Sequence, residues 1–124
     1  MKKFTESILI DKENPYSEKI RQEIENVDIE IIVENDLLSH DVLNSMEQMN
    51  LLFCLEYKLL IEKDNKKLAY LNYLISYYIF VILTPPFSKE IALKYANDAI
   101  KLYNHEKYFK AISFENGGVK ITKI

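Results

Sequence analysis

The chain has 124 residues, 48 % of them apolar and 28 % charged, with two glycines and three prolines. That composition excludes a disordered chain and, with so few turn residues, a many-stranded sandwich or barrel; it suits one domain, 1–124, with its own core. The net charge of −3 conceals an asymmetry, because Met1 to Glu62 carries six basic and fourteen acidic residues whereas Lys63 to Ile124 carries ten basic and five acidic.

The amino-terminal apolar run, Ser7 to Ile10, is too short for a secretion signal, so the cytoplasm is the expected location. From Ser17, the spacing of Ile20, Ile24, Val27 and Ile31 at steps of four, three and four predicts a helix through Glu34, with Ser17 as its N-cap. The alternation in VDIEIIV also reads as a strand over 27–33. The sequence leaves helix and strand both open there.

A second helix is expected from a cap at Ser39 to about Glu62. Val42, Met46, Met49, Phe53, Tyr57 and Leu60 recur three or four apart as its inward stripe, and Leu43, Leu52, Leu55 and Leu59 widen it. The single cysteine, Cys54, falls inside this segment. It excludes an internal disulfide and suits a reducing compartment.

EKDNKK reads as a turn, followed by the uncharged stretch Leu68 to Phe87. Pro85 and Pro86 end its helix at about Leu83, and the sixteen residues before them span about 24 Å, short of the roughly 30 Å of bilayer hydrocarbon. The stretch therefore reads as a core helix and not a membrane span. Its tyrosines Tyr70, Tyr73 and Tyr77, with Tyr78 beside them, need sites for their hydroxyls either at the edge of the core or on a partner.

Ser88 is the expected cap of a further helix whose inner face holds Ile91, Ala92, Tyr95, Ala99 and Leu102. In the tail, Asn116-Gly117 between Ile112, Phe114 and Val119, Ile121 predicts a small β-hairpin, and Ser7 to Ile10 could supply a third strand. The expected fold is mainly α: about four helices packed as a bundle or a short helical-repeat-like array, with a C-terminal hairpin.

The stretch EIALKYANDAIKL, with Ala92, Ala96 and Ala99, followed by Asn104 where proline is usual, resembles the second helix of a tetratricopeptide repeat. The likeness covers 68–104 and lacks the family's tryptophan and glycine positions, Phe80 standing where glycine is expected. It implies a helical hairpin and, at most, an adaptor or chaperone binding a protein partner. One such hairpin is too few for a solenoid array.

Signatures of catalysis are absent. His40 and His105 are 65 residues apart, and there is no HExxH, CxxC pair, glycine-rich phosphate loop or GxSxG elbow. Glu47 and Glu56 do not form the Glu-x-x-His pairs of a dinuclear site. No enzyme activity, metal or cofactor is expected. Lys63, Lys66, Lys67, Lys89, Lys94, Lys101, Lys107 and Lys110 make the second half basic, but the only arginine, Arg21, lies in the acidic half, so nucleic acid is not the expected partner.

Glu23, Glu30 and Glu34 would share one face of the first helix, with Asp28 and Asp36 nearby, an anionic ridge suited to a basic protein. In size, acidity and lack of catalytic motifs the chain resembles bacterial immunity proteins. That likeness implies a non-catalytic inhibitor that covers a cognate toxin, a nuclease for example. The expected partner-binding residues are Glu23, Glu30, Glu34, Asp28, Asp36, Tyr70, Tyr73 and Tyr77; the sequence leaves the partner and the oligomeric state open.

Overall fold

A computed structural model describes residues 18–37, 43–103, 112–115 and 118–121. The protein is mainly helical, with four α-helices among the described residues. They fall into two compact units, Met1–Glu62 and Lys63–Ile124. The boundary between them coincides with the change from acidic to basic sequence.

In the first unit, helix α1 (Glu18–Asn26) buries Ile20 and Ile24. Arg21 ties its exposed side to Glu18 at 3.3 Å and to Glu25 at 3.1 Å, one turn to each side. The helix does not continue to Glu34, and residues 27–33 do not form a strand. Asp28 is extended, and its carboxylate accepts from the Glu30 amide, which opens a 3-10 turn, Ile29–Ile31. A second 3-10 turn, Glu34–Leu37, follows, and the Asp36 carboxylate accepts from the Val33 amide at 2.9 Å.

Two short acidic side chains thus offer the backbone local bonds that compete with the helical ladder, in a β-branched run that favours helix weakly. The expected stripe breaks accordingly. Ile29 and Ile32 are buried, Val27 is half-buried and Ile31 is exposed.

Helix α2 (Ser45–Ile61) starts later than a cap at Ser39 would place it; Ser39, Val42 and Ser17 lie outside the described residues. Its cap is Asn44. The Asn44 side chain accepts from the Glu47 amide at 2.8 Å, and the Glu47 carboxylate accepts from the Asn44 amide at 3.0 Å. The expected inward stripe is also reversed. The fully buried positions are Leu51, Leu55 and Lys58, while Met46, Met49, Phe53 and Leu60 are exposed.

The reason is rotational. Tyr57 and Lys58 both reach Glu25 of α1, by a hydroxyl bond of 2.7 Å to its carboxylate and an ammonium bond of 3.1 Å to its carbonyl. Those two anchors set α2 about its axis so that the 51, 55, 58 row turns inward. Lys58 also brings a cation to the carboxyl end of α1, which has no basic residue of its own in its last turn.

In the second unit, helix α3 (Asn65–Tyr77) begins inside the expected turn, because Asp64 caps it by accepting from the Lys67 amide at 3.0 Å. Every residue from Leu71 to Ile79 is buried, so this stretch is enclosed all round. The helix continues as a π-helical turn, Tyr78–Leu83, and closes at Thr84. Thr84 is left-handed, φ 44°, and its amide donates to the Ile79 carbonyl at 2.9 Å. Among the described residues, no helix is long and apolar enough to cross a membrane.

Helix α4 (Ser88–Leu102) follows Pro85-Pro86. Ser88 is its first residue and not its cap; Phe87 holds the cap position at φ 62° without a side-chain bond. Ala92, Ala96 and Ala99 are fully buried along one face, whereas Ile91 is exposed. Helices α3 and α4 pack extensively on each other, and the Ser76 hydroxyl donates to the Ala92 carbonyl at 2.7 Å in the interior. A seryl side chain opposite an alanine face lets the backbones approach this closely.

The expected turn at Asn116-Gly117 and the proposed third strand at 7–10 lie outside the described residues.

Candidate protein-binding surface

The first unit concentrates charge of one sign. Residues 18–37 hold seven acidic side chains and two basic ones. One of the two, Arg21, is held by Glu18 and Glu25, and its guanidinium is driven further toward the charged form by hydrogen bonding with Tyr57 and Glu25. Glu25 responds in the opposite sense. The Tyr57 hydroxyl, and after it Arg21, hold its carboxyl below the usual range.

The expected ridge of Glu23, Glu30 and Glu34 on one helical face does not form, because the helix ends before Glu30. Glu23 is half-buried on α1, Glu30 is exposed on the first 3-10 turn, and Glu34 is only 6 % exposed. Glu34 therefore belongs to the interior of the first unit and not to its surface. Asp28 is exposed and Asp36 half-buried, and each holds a turn through its carboxylate. The acidic side chains are instead distributed over three short elements.

The tyrosines separate likewise. Tyr70 is half-buried and stacks on Tyr73 with ring centroids 6.1 Å apart, while Tyr73 and Tyr77 are buried in the second unit. Buried rings of this kind are core and cannot anchor a partner. Tyr78 is buried too, and desolvation raises its phenol above the ordinary value.

Sequence reasoning missed the exposed apolar face of α2. Met46 is 70 % exposed, Met49 42 %, Phe53 62 % and Leu60 83 %, with half-buried Tyr57 completing the row. Periodicity alone marks such a row as apolar without telling which way it faces. The signal that could have found it is the second row through Leu51 and Leu55, which competes for the same interior.

On the basic side, Lys94 is paired with Asp98 at 3.1 Å and lies over the Tyr95 ring, and Lys66 lies over the Tyr103 ring. Among the described residues, no three His, Cys, Asp or Glu side chains are grouped to hold a metal; His40 and His105 lie outside them. Cys54 is half-buried, and burial pushes its thiol up to about 11, away from a reactive thiolate.

Compared with known families, with curated proteins and with solved structures, the chain matches none.

Proposed function

We propose that this chain is a non-catalytic protein-binding domain of the cytoplasm whose acidic first unit engages a basic surface on another protein. In its most concrete form it is an immunity protein covering the cationic, substrate-binding surface of a cognate toxin such as a nuclease. The observation that carries the reading is the density of acid over 18–37, seven acidic against two basic side chains, with Glu30 and Asp28 exposed and Glu23 half-buried. Anionic side chains arrayed this way speed association with a cationic partner and can stand where its phosphate ligand would.

The binding residues proposed are Glu23, Asp28 and Glu30; Glu34 is buried in the first unit. The adaptor reading has less surface to work with, since the alanine face of α4 and Tyr73 and Tyr77 of α3 are buried. The C-terminal hairpin belongs to the same proposal as a finishing element of the second unit, and no catalytic role is assigned to any residue.

The test is capture of partners from the source cells, identification by mass spectrometry, and calorimetry of the purified pair at low and high salt. Glu23→Lys with Glu30→Lys should weaken binding by about tenfold or more and flatten its salt dependence. The reading fails if that variant binds as the parent does, or if the captured partner keeps its full activity when saturated.

A further inference from the structure

We infer that the exposed face of α2 is a self-association surface, on which a second copy of the chain packs its own α2 antiparallel about a two-fold axis at Phe53. The face consists of Met46, Met49, Phe53, Tyr57 and Leu60, four of them exposed and Tyr57 half-buried. Its spacing, three, four, four, three, reads the same from either end. Around a two-fold axis at Phe53, an antiparallel copy therefore sets Met46 against Leu60, Met49 against Tyr57 and Phe53 against itself. Self-complementarity of that kind is what an isologous interface requires of one patch.

The charge distribution agrees. Within α2, Glu56 is the charged residue that borders the row, four residues from Leu60 and three from Phe53, while Glu25 of α1 adjoins the row at Tyr57, whose hydroxyl donates to its carboxylate. The symmetry mate of Glu56 lies six residues along the axis, about 9 Å away, so these like charges do not oppose each other. Antiparallel packing also sets the positive end of each helix dipole beside the negative end of the other. The opposite row of α2 is fixed in the first unit through Leu51, Leu55 and Lys58, which holds the exposed row outward.

The composition of the row is that of a contact surface, since methionine and aromatic side chains are enriched where proteins meet. From Met46 to Leu60 it runs about 21 Å, so one helix on one helix makes a small interface of the size class of weak, transient contacts. The residues of this face, 46–60, differ from Glu23, Asp28 and Glu30, which are proposed to bind a partner, so the two readings are tested on different residues.

The experiment is sedimentation equilibrium of the full chain under reducing conditions over about 5 to 500 µM, a range that brackets micromolar association. The expected result is a rise from 14.7 kDa toward twice that mass. Phe53→Glu should hold the chain at monomer mass with an unchanged circular dichroism spectrum, since Phe53 is exposed and makes little of the fold. Leu60→Glu should weaken the dimer, and adding Met46→Lys to it should restore it, because only the antiparallel arrangement places those two side chains together. A parent chain that stays monomeric throughout overturns the inference. So does a Phe53→Glu variant that still dimerises, or a double variant that is no better than Leu60→Glu alone.

Discussion

The Tyr57 hydroxyl donates to the Glu25 carboxylate at 2.7 Å, joining α2 to α1 across 32 residues of sequence. Together with the Lys58 ammonium on the Glu25 carbonyl, it decides which side of α2 becomes interior. Glu25 accepts this bond at the surface on the same carboxylate oxygen, Oε2, that Arg21 reaches at 3.1 Å. Three side chains from two helices thus converge on one residue near the end of α1.

Replacing Tyr57 by Phe removes that bond and should return the Glu25 carboxyl toward its usual range. Because the folded-state value is depressed, the contribution of the carboxylate is present above the unfolded value and is lost as pH falls through the folded one. The parent should therefore exceed Tyr57→Phe in melting temperature at neutral pH, with the gap closing as pH drops below the ordinary carboxylate range. Thermal melts read by circular dichroism along a pH series check this; a gap that widens on acidification would contradict it.

Lys58→Met keeps the buried stem but leaves the carboxyl end of α1 without its cation and the Glu25 carbonyl without that donor. The expected cost is about 1–3 kcal/mol in urea unfolding. Lys58→Ala should cost more, because the stem packing goes as well.

Ser76→Ala deletes the 2.7 Å bond to the Ala92 carbonyl in the α3–α4 interface and should destabilise by about 1–2 kcal/mol. Ala96→Leu places a larger side chain where the alanine is wholly buried and should cost about 1–3 kcal/mol. Chemical denaturation of both variants distinguishes a lost bond from overpacking, since adding Ser76→Ala cannot rescue the leucine if the helices are forced apart.

Thr84 is a β-branched residue at φ 44°, a conformation that glycine adopts without steric penalty. Thr84→Gly should raise the unfolding free energy by about 0.5–1 kcal/mol, the relief of the left-handed geometry exceeding the added freedom of the unfolded chain. A loss of stability on this substitution would mean that the threonine side chain contributes more than its backbone costs.

Cys54, with its thiol raised to about 11, should react with iodoacetamide at pH 8 about 100-fold more slowly than an unhindered thiol of ordinary pKa. The raised value also has a stability sign. The contribution of the neutral thiol is complete below the unfolded value near 9 and is lost as pH rises toward 11, so melting temperature should fall across that window. Cys54→Ala should flatten that part of the alkaline limb.

Sequence alone carried the local chemistry. Its scarcity of glycine and proline foretold a helical protein, Pro85 and Pro86 marked the end of the uncharged helix, and Ala92, Ala96 and Ala99 marked a close-packing face. The charge change near Glu62 was equally legible. It now coincides with the boundary between two compact units. Asn44 and Glu47 were readable as a capping box three residues apart, yet Ser39 was the expected cap in the same stretch.

Tertiary structure decided orientation and extent. Helix α2 has two apolar rows, and a period of 3.6 residues is blind to which one meets a neighbour; the bonds from Tyr57 and Lys58 to Glu25, made by residues 32 and 33 positions away, broke the tie. The acidic ridge failed for a related reason. Whether Asp28 and Asp36 bond their own backbone or leave a helix intact depends on where Ile29, Ile32 and Leu37 can be buried, a property of the folded unit and not of the local pattern. Residue types and spacing determined what could form; burial against distant partners determined which faces were left exposed.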